Sequence, residues 1–136
     1  MHFNRLPEQD SFVVGDVEDG ATTAAVSIGS RNCYTRAFPP FKNEGYAKGL
    51  ARTSCDGQVA YNEVYTRLYR LRAWGWQFLD DDISGCSSCS KTVNSVSRWQ
   101  CTGVGTYTYA VYGEHTVTYQ GQTKKDYTRS EDRFGC

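Results

Sequence analysis

Four groups of residues in this 136-residue chain have types and spacings that could support chemistry. Cys86-Ser87-Ser88-Cys89 has the spacing of half a zinc site or of a redox dithiol, and Asp80-Asp81-Asp82 could ligate calcium. Glu114-His115 is the one acid–histidine pair, and with Glu63 and arginines it could serve a small secreted hydrolase or ribonuclease. The arginines that could bind a phosphate are Arg67, Arg70, Arg72, Arg129 and Arg133.

A structural role is the preferred interpretation for each group. Zinc needs four ligands, but the other cysteines are isolated, and His2 and His115 lie far apart. The aspartate run lacks the alternating ligands and central glycine of a calcium hand, so we expect a solvated acidic turn. Neighbouring residues of a strand point to opposite faces, so Glu114 and His115 cannot both address one substrate. We therefore predict no metal, no cofactor and no catalytic residue.

The cysteines themselves indicate a disulfide framework. An even number of cysteines in a short chain is typical of exported proteins, and the six are Cys33, Cys55, Cys86, Cys89, Cys101 and Cys136. Among the fifteen possible pairings we predict Cys33–Cys55, Cys86–Cys89 and Cys101–Cys136. The alternative is a cytosolic chain with six free thiols. The prediction is a secreted, extracellular protein.

Charge and composition narrow the function classes. Fifteen basic and fifteen acidic residues balance, with a pI near 6.7, which argues against a general binder of nucleic acid or of anionic membranes. No apolar run approaches the roughly 18 residues of a membrane-spanning helix. The length fits one domain that is large enough to bury a core even without disulfides.

Turn signals and alternating side chains indicate that strands position these residues. The expected strands are Ser11–Val14, Thr22–Ile28, Val59–Leu71, the alternating segment Trp74–Phe78, Thr92–Cys101 and Tyr127–Cys136. Thr106–Tyr112 and His115–Tyr119 are expected to form a hairpin around Gly113-Glu114. The fold class is therefore all-β, an antiparallel β-sandwich or small barrel stapled by disulfides.

The chain divides at about residue 30. Residues 1–30 contain no Cys, Trp or Tyr and are expected as an N-terminal arm, either a loose edge strand or a segment that orders on a partner. Residues 31–136 are the disulfide-bonded β domain. Within it, Asp80–Ser90 is expected as an acidic loop that Cys86–Cys89 stiffens for partner binding. The candidate partner-binding residues are Asp80, Asp81, Asp82, Ile83, Ser84, Gly85, Cys86, Ser87, Ser88 and Cys89.

Three Trp, ten Tyr and six Phe are available for a core or for an aromatic binding face. Trp74, Trp76 and Trp99 are expected in the core, where they would pair across strands. The tyrosines near the C-terminus cannot all be buried, so one aromatic face is expected at the surface. These tyrosines are Tyr107, Tyr109, Tyr112, Tyr119 and Tyr127.

Two segments resemble small, cysteine-containing, exported actinobacterial β-proteins. They are Leu68-Tyr69-Arg70-Leu71-Arg72-Ala73-Trp74-Gly75-Trp76-Gln77 and Cys101-Thr102-Gly103-Val104-Gly105-Thr106-Tyr107-Thr108-Tyr109, and the similarity covers about Cys55 to Cys136. The resemblance implies a β fold and export. Such secreted proteins include the adaptors of umbrella toxin particles, which bridge a lectin-like subunit and a repeat-rich toxin stalk through a projecting loop and a flexible arm.

The sequence thus predicts a secreted, non-catalytic binding protein, a protein–protein adaptor in an extracellular assembly of the toxin type. Its partners would be other secreted proteins, and the resemblance implies a lectin-like subunit and a repeat-containing toxin. The alternatives are a carbohydrate-binding module that uses exposed Tyr and Trp, a protease inhibitor, and a small secreted hydrolase or ribonuclease.

Overall fold

The described part of this protein consists of strands joined by turns. The computed structural model describes the backbone of residues 2–3, 14–18 and 21–136, and the side chains from residue 25 onward. The strands are β1 (His2–Phe3), β2 (Val14–Glu18), β3 (Ala21–Ile28), β4 (Arg31–Ala37), β5 (Phe41–Asn43), β6 (Tyr46–Cys55), β7 (Val59–Arg72), β8 (Gly75–Cys89), β9 (Val93–Gln100), β10 (Thr106–Tyr119) and β11 (Gln122–Gly135).

Two antiparallel sheets pack face to face. Sheet A has the strand order β1-β8-β7-β10-β11, and sheet B has the order β2-β3-β4-β6-β5, with β9 pairing along the other side of β6. Strand β8 packs against β9 on one side of the sandwich, and β11 packs against β3 on the other. The predicted disulfide-stapled, all-β sandwich is confirmed, and the described residues contain no helix.

Small inward-facing residues let the two sheets approach closely. The inward side of β6 carries Ala47, Gly49, Ala51 and Thr53, all of which are buried. A Cβ atom at Gly49 would lie 2.8 Å from Cβ of Val111 on the facing sheet, so the glycine leaves room for that side chain. The strict alternation of buried and less buried positions along β6 therefore assigns its even-numbered residues to the outer face of sheet B.

The disulfides lie at the two ends of the sandwich. Cys33–Cys55 and Cys86–Cys89 lie at the end formed by turns 29–30, 56–58 and 120–121, which we call the Arg31 end. Cys101–Cys136 lies at the opposite end, formed by turns 44–45, 73–74 and 101–105, which we call the Arg70 end. These are the three pairs predicted from the sequence.

The expected hairpin at Gly113-Glu114 is wrong. Strand β10 continues through these residues, and the turn comes at Gln120 and Gly121, which have φ angles of 50° and 76°. A Cβ atom at Gly113 would lie 2.9 Å from Cβ of Ala51 and 2.8 Å from Oγ1 of Thr128. This glycine therefore marks a close approach between the sheets rather than a turn.

The expected loop Asp80–Ser90 is also wrong, because residues up to Cys89 belong to β8. This strand pairs with β7 from Arg72↔Gly75 to Val59↔Cys89, with a bulge at Leu79. Strand β1 pairs with β8 at only two positions, so residues 80–89 form an edge strand of sheet A. Polar and charged side chains are tolerated on edge strands, which is why the composition of a loop misled the prediction.

Part of the expected N-terminal arm belongs to sheet B. Strand β3 pairs with β4 from Thr22↔Ala37 to Ile28↔Arg31, and Val26 and Ile28 are buried. The expected strand Ser11–Val14 lies outside the described residues except for Val14, where β2 begins. The arm proposed for the residues before β3 stays a prediction.

The aromatic residues are not distributed as expected. Trp74, expected in the core, lies in the turn between β7 and β8 and is 46% exposed, whereas Trp76 and Trp99 are partly buried. Tyr109 and Tyr112 are buried, because their rings stack on neighbouring rings of β11. The other three tyrosines, Tyr107, Tyr119 and Tyr127, are partly buried, so these five residues form no exposed face.

Candidate binding surface

The outer face of sheet B carries most of the exposed aromatic rings together with four cations. The cations, which we call the basic face, are Arg36 on β4, Lys48 and Arg52 on β6, and Arg98 on β9. Strand register brings them together, because Arg36 pairs with Arg52 and Lys48 pairs with Arg98. Three exposed rings lie on the same strands and the adjacent β5, namely Tyr34, Phe41 and Tyr46.

Neutral groups orient three of these four cations, Lys48, Arg52 and Arg36. Nζ of Lys48 donates to Oδ1 of Asn43 at 2.9 Å, and Nε of Arg52 donates to Oδ1 of Asn94 at 2.8 Å. The guanidinium carbons of Arg36 and Arg52 lie 4.4 Å and 4.8 Å from the ring centroid of Phe38. Amides and an aromatic ring orient a cation without cancelling its charge.

Acids are kept to the rim of this face. No outward position of β4, β5, β6 or β9 carries a carboxylate, and Glu44 lies in the turn between β5 and β6. The ion pairs among the described residues are elsewhere, between Arg31 and Asp56 and between Lys125 and Glu114. The balanced net charge of the chain therefore conceals a face with four positive side chains that form no ion pair with any described residue.

Two of the predicted site residues cap the edge of β9. Oδ2 of Asp80 accepts a hydrogen bond from the backbone N of Arg98 at 2.9 Å. Oδ2 of Asp82 accepts from the backbone N of Val96 at 3.2 Å and from Oγ of Ser95 at 2.8 Å. The expected solvated acidic turn is thus wrong for these two carboxylates, because they satisfy donors that β9 presents away from β6.

The side of β8 that faces away from β9 is exposed. Asp81 accepts a hydrogen bond from the hydroxyl of Tyr65 at 2.8 Å, and Ile83 is 58% exposed. Gly85 and Ser87 are also exposed. Ser84 and Cys86 line a small cleft of about 210 Å³, and Ser88, with a φ of 46°, lines a second cleft of about 410 Å³ at the Arg31 end. Cys89 is buried.

Glu114 and His115 are separated, as the alternation of the strand predicts. The imidazole of His115 is 1% exposed and lies between Oγ1 of Thr53 and Oγ1 of Thr128, each 2.7 Å from a ring nitrogen. Burial lowers the pKa of His115 to about 3. Glu114 faces outward and pairs with Lys125 at 3.1 Å. The histidine therefore acts as a neutral part of the core and cannot contact a substrate together with Glu114 or Glu63.

The cysteines and the possible metal ligands are considered next, together with the possibility of a membrane-spanning helix. All six cysteines are in disulfides. Among the described residues, no three His, Cys, Asp or Glu side chains are grouped as a metal site would need. No helix in the described part of the chain has the length and apolar character needed to cross a membrane.

No protein-family model, curated protein or solved structure matches this chain. The basic face was not predicted from the sequence. Its one signal in the sequence is the alternation Tyr46-x-Lys48-x-Leu50-x-Arg52, which is also what any half-exposed strand would show. Only strand pairing adds Arg36 and Arg98 to it.

Proposed function

We propose that this protein is an exported, non-catalytic adaptor that binds an acidic protein through the basic face. The observation that carries the proposal is a sheet face with four cations, three of which are oriented by neutral groups, beside exposed aromatic rings. Arginine and aromatic residues are enriched at the centres of protein interfaces, and complementary charge increases the rate of association.

A protein partner is favoured over nucleic acid. The chain has no excess of basic residues, so long-range attraction to a polyanion is weak.

The adaptor role needs a second surface on the opposite side of the sandwich. The outward side of β8, with Asp81 and the exposed Ile83, is the described part of the predicted site that would serve this purpose. The three disulfides support export, because disulfides persist in oxidising compartments. A lectin-like subunit and a repeat-containing toxin are the partners that the resemblance implies.

Co-purification from the culture fluid of the native host tests the proposal. The tagged protein is compared with the double variant Lys48→Glu/Arg98→Glu and with the control Lys91→Glu/Arg133→Glu, which has the same charge change at exposed positions away from the face. We expect the partner of the basic face to be recovered with the wild type and the control, and at least about tenfold less with the face variant. Equal recovery with both variants, or tight binding of the purified protein to heparin or DNA, would show that the proposal is wrong.

A further inference from the structure

A second cluster of cations lies inside the Arg70 end. Arg70 is on the inward face of β7 and is only 7% exposed. Its guanidinium carbon lies 4.7 Å from the ring centroid of Trp99 and 4.6 Å from that of Tyr107. The guanidinium carbon of Arg72 lies 5.9 Å from the same Tyr107 ring. The aromatic rings thus hold two guanidinium groups side by side at the mouth of the sandwich.

Both guanidinium groups donate to one uncharged oxygen. Oε1 of Gln77 accepts from Nε and Nη2 of Arg70, at 3.2 Å and 2.7 Å, and from Nη1 of Arg72 at 3.1 Å. No carboxylate in the described part of the chain lies within 4.0 Å of either arginine. The pKa of Arg70 is lowered, first by burial and next by the charge of Arg72. A buried cation without an acid is costly to a folded protein.

The acids on neighbouring strands have other hydrogen-bond donors. Asp80 accepts from the backbone N of Arg98, and Asp132 accepts from the backbone N of Arg133 at 2.8 Å. The hydroxyl of the buried Tyr109, which pairs with Arg70 across β10 and β7, finds no hydrogen-bond partner among the described residues. The hydrogen bonds of Asp80 and Asp132 thus go to backbone N–H groups rather than to Arg70 or Arg72.

We propose that Arg70 and Arg72 form a binding site for a carboxylate of a ligand. Gln77 leaves free Nη1 of Arg70 and both Nε and Nη2 of Arg72, as far as the described residues go. Guanidinium groups bind carboxylates through paired N–H donors. Gln77 already presents a planar sp² oxygen to these donors, which has the geometry of half a carboxylate. This inference does not rest on the proposed function, because it concerns the isolated protein.

Titration with sodium acetate tests the site, with sodium chloride and sodium sulfate at matched ionic strength as comparisons. The readout is the NMR shift of the Trp99 indole N–H. We expect acetate to saturate this shift at roughly millimolar concentration. Arg72→Gln should weaken acetate binding at least about tenfold, and the control Arg133→Gln should leave it unchanged. An equal response to chloride, or saturation by sulfate but not by acetate, would overturn the proposal.

The variant Gln77→Glu provides an independent test that does not need a ligand. It has nearly the same shape and supplies the missing carboxylate from within the chain. We expect the melting temperature to rise by roughly 3 °C or more and the acetate response to disappear. A lower melting temperature, or an acetate response that persists in this variant, would show that the two guanidinium groups do not need an anion.

Discussion

Each end of the sandwich holds an arginine against a tyrosine ring. Among the described residues, only one of these two arginines forms an ion pair with a carboxylate. At the Arg31 end, the guanidinium carbon of Arg31 lies 4.9 Å from the ring of Tyr119, and Nη1 lies 3.1 Å from Oδ1 of Asp56. At the Arg70 end, the corresponding acceptor is the amide of Gln77. The hydrogen bond that Arg31 donates to Asp56 is the first cause that raises the pKa of Arg31, whereas burial is the first cause that lowers that of Arg70.

The difference is opposite to what solvation alone would favour. Water can stabilise the partly exposed Arg31, yet this arginine has a carboxylate beside it. Arg70 is largely removed from water, yet it has only a neutral acceptor. An arginine that packs on an aromatic ring can therefore be closed, with a carboxylate of the chain as its partner, or open, with donors left for an outside anion. The residue type of its hydrogen-bond acceptor decides between the two. The basic face belongs to the open class, since Asn43 and Asn94 take the place of acids there.

The largest effect of a single change is expected from the disulfide at the Arg70 end. Cys101–Cys136 joins residues 35 apart in sequence, so its removal in Cys101→Ser/Cys136→Ser frees a long loop in the unfolded chain. We expect the free energy of unfolding to fall by about 4 kcal/mol. Urea denaturation measures this value. A loss no larger than that of the Cys86→Ser/Cys89→Ser variant would contradict the loop-length argument.

Two buried titratable residues between the ends, His115 and Asp126, control how the stability of the protein depends on pH. The pKa of His115 is about 3 when folded against 6.5 when unfolded, so the unfolded chain binds this proton first and stability falls below pH 6.5. Burial raises the pKa of Asp126 to about 6 from 3.8, so the folded chain binds this proton first. Its contribution to stability therefore rises as the pH falls from about 6 to 3.8. The two effects oppose each other because folding lowers the pKa of His115 and raises that of Asp126, its register partner on the inward face.

We therefore expect stability to be nearly constant between about pH 6 and pH 4 in the wild type. In Asp126→Asn, stability should fall by about 1.4 kcal/mol per pH unit below 6.5, a difference of roughly 3 kcal/mol by pH 4. Urea midpoints across this pH range give both profiles. Parallel profiles in the two proteins would show that these groups do not compensate each other.

A smaller effect is expected at the Arg31 end when Cys86–Cys89 is removed. These cysteines are three residues apart, and both are themselves register partners of β7 residues, Cys86 of Asn62 and Cys89 of Val59. The Cys86→Ser/Cys89→Ser variant should lose about 2 kcal/mol in urea denaturation and stay folded. If this variant unfolds at room temperature, the Cys86–Cys89 disulfide contributes more to the free energy of unfolding than its short loop explains.

The smallest effect is expected from Asp56→Asn, which gives Arg31 the neutral partner that Arg70 has. Surface ion pairs contribute little, so the melting temperature should fall less than in either disulfide variant. The more informative measurement is an acetate titration. Acetate should now bind at the Arg31 end and shift the NMR signal of the Arg31 Nε–H. No acetate response in this variant would mean that an arginine on a tyrosine with an amide partner is not sufficient for a carboxylate site.

The fold could be read largely from local patterns. Residue content identified the strand now called β7, alternation identified β9, the second half of β11 was expected as a closing strand, and the three disulfide pairs were predicted correctly. The errors at Gly113 and at Asp80–Ser90 have one cause. Glycine and runs of Asp and Ser are typical of turns, but they also suit a close contact between sheets and an edge strand, and local sequence does not distinguish these cases.

The candidate sites were less predictable. Asp80 and Asp82 were singled out for partner binding, yet their carboxylates cap the backbone of β9. The cations of the basic face were not singled out at all, because each is an ordinary outward residue of its own strand. Arg70 and Arg72 were noted only as two of five arginines.

By itself, the sequence determined the class of this protein: alternating side chains make strands, and six cysteines form three bridges. The tertiary structure decided which charges are paired. Electrostatic interactions depend on distance and burial, and strand register sets both, so a count of fifteen acids and fifteen bases conceals the outcome. Register places Arg31 beside Asp56 and Arg70 beside Gln77, and that difference separates a closed arginine from an open one.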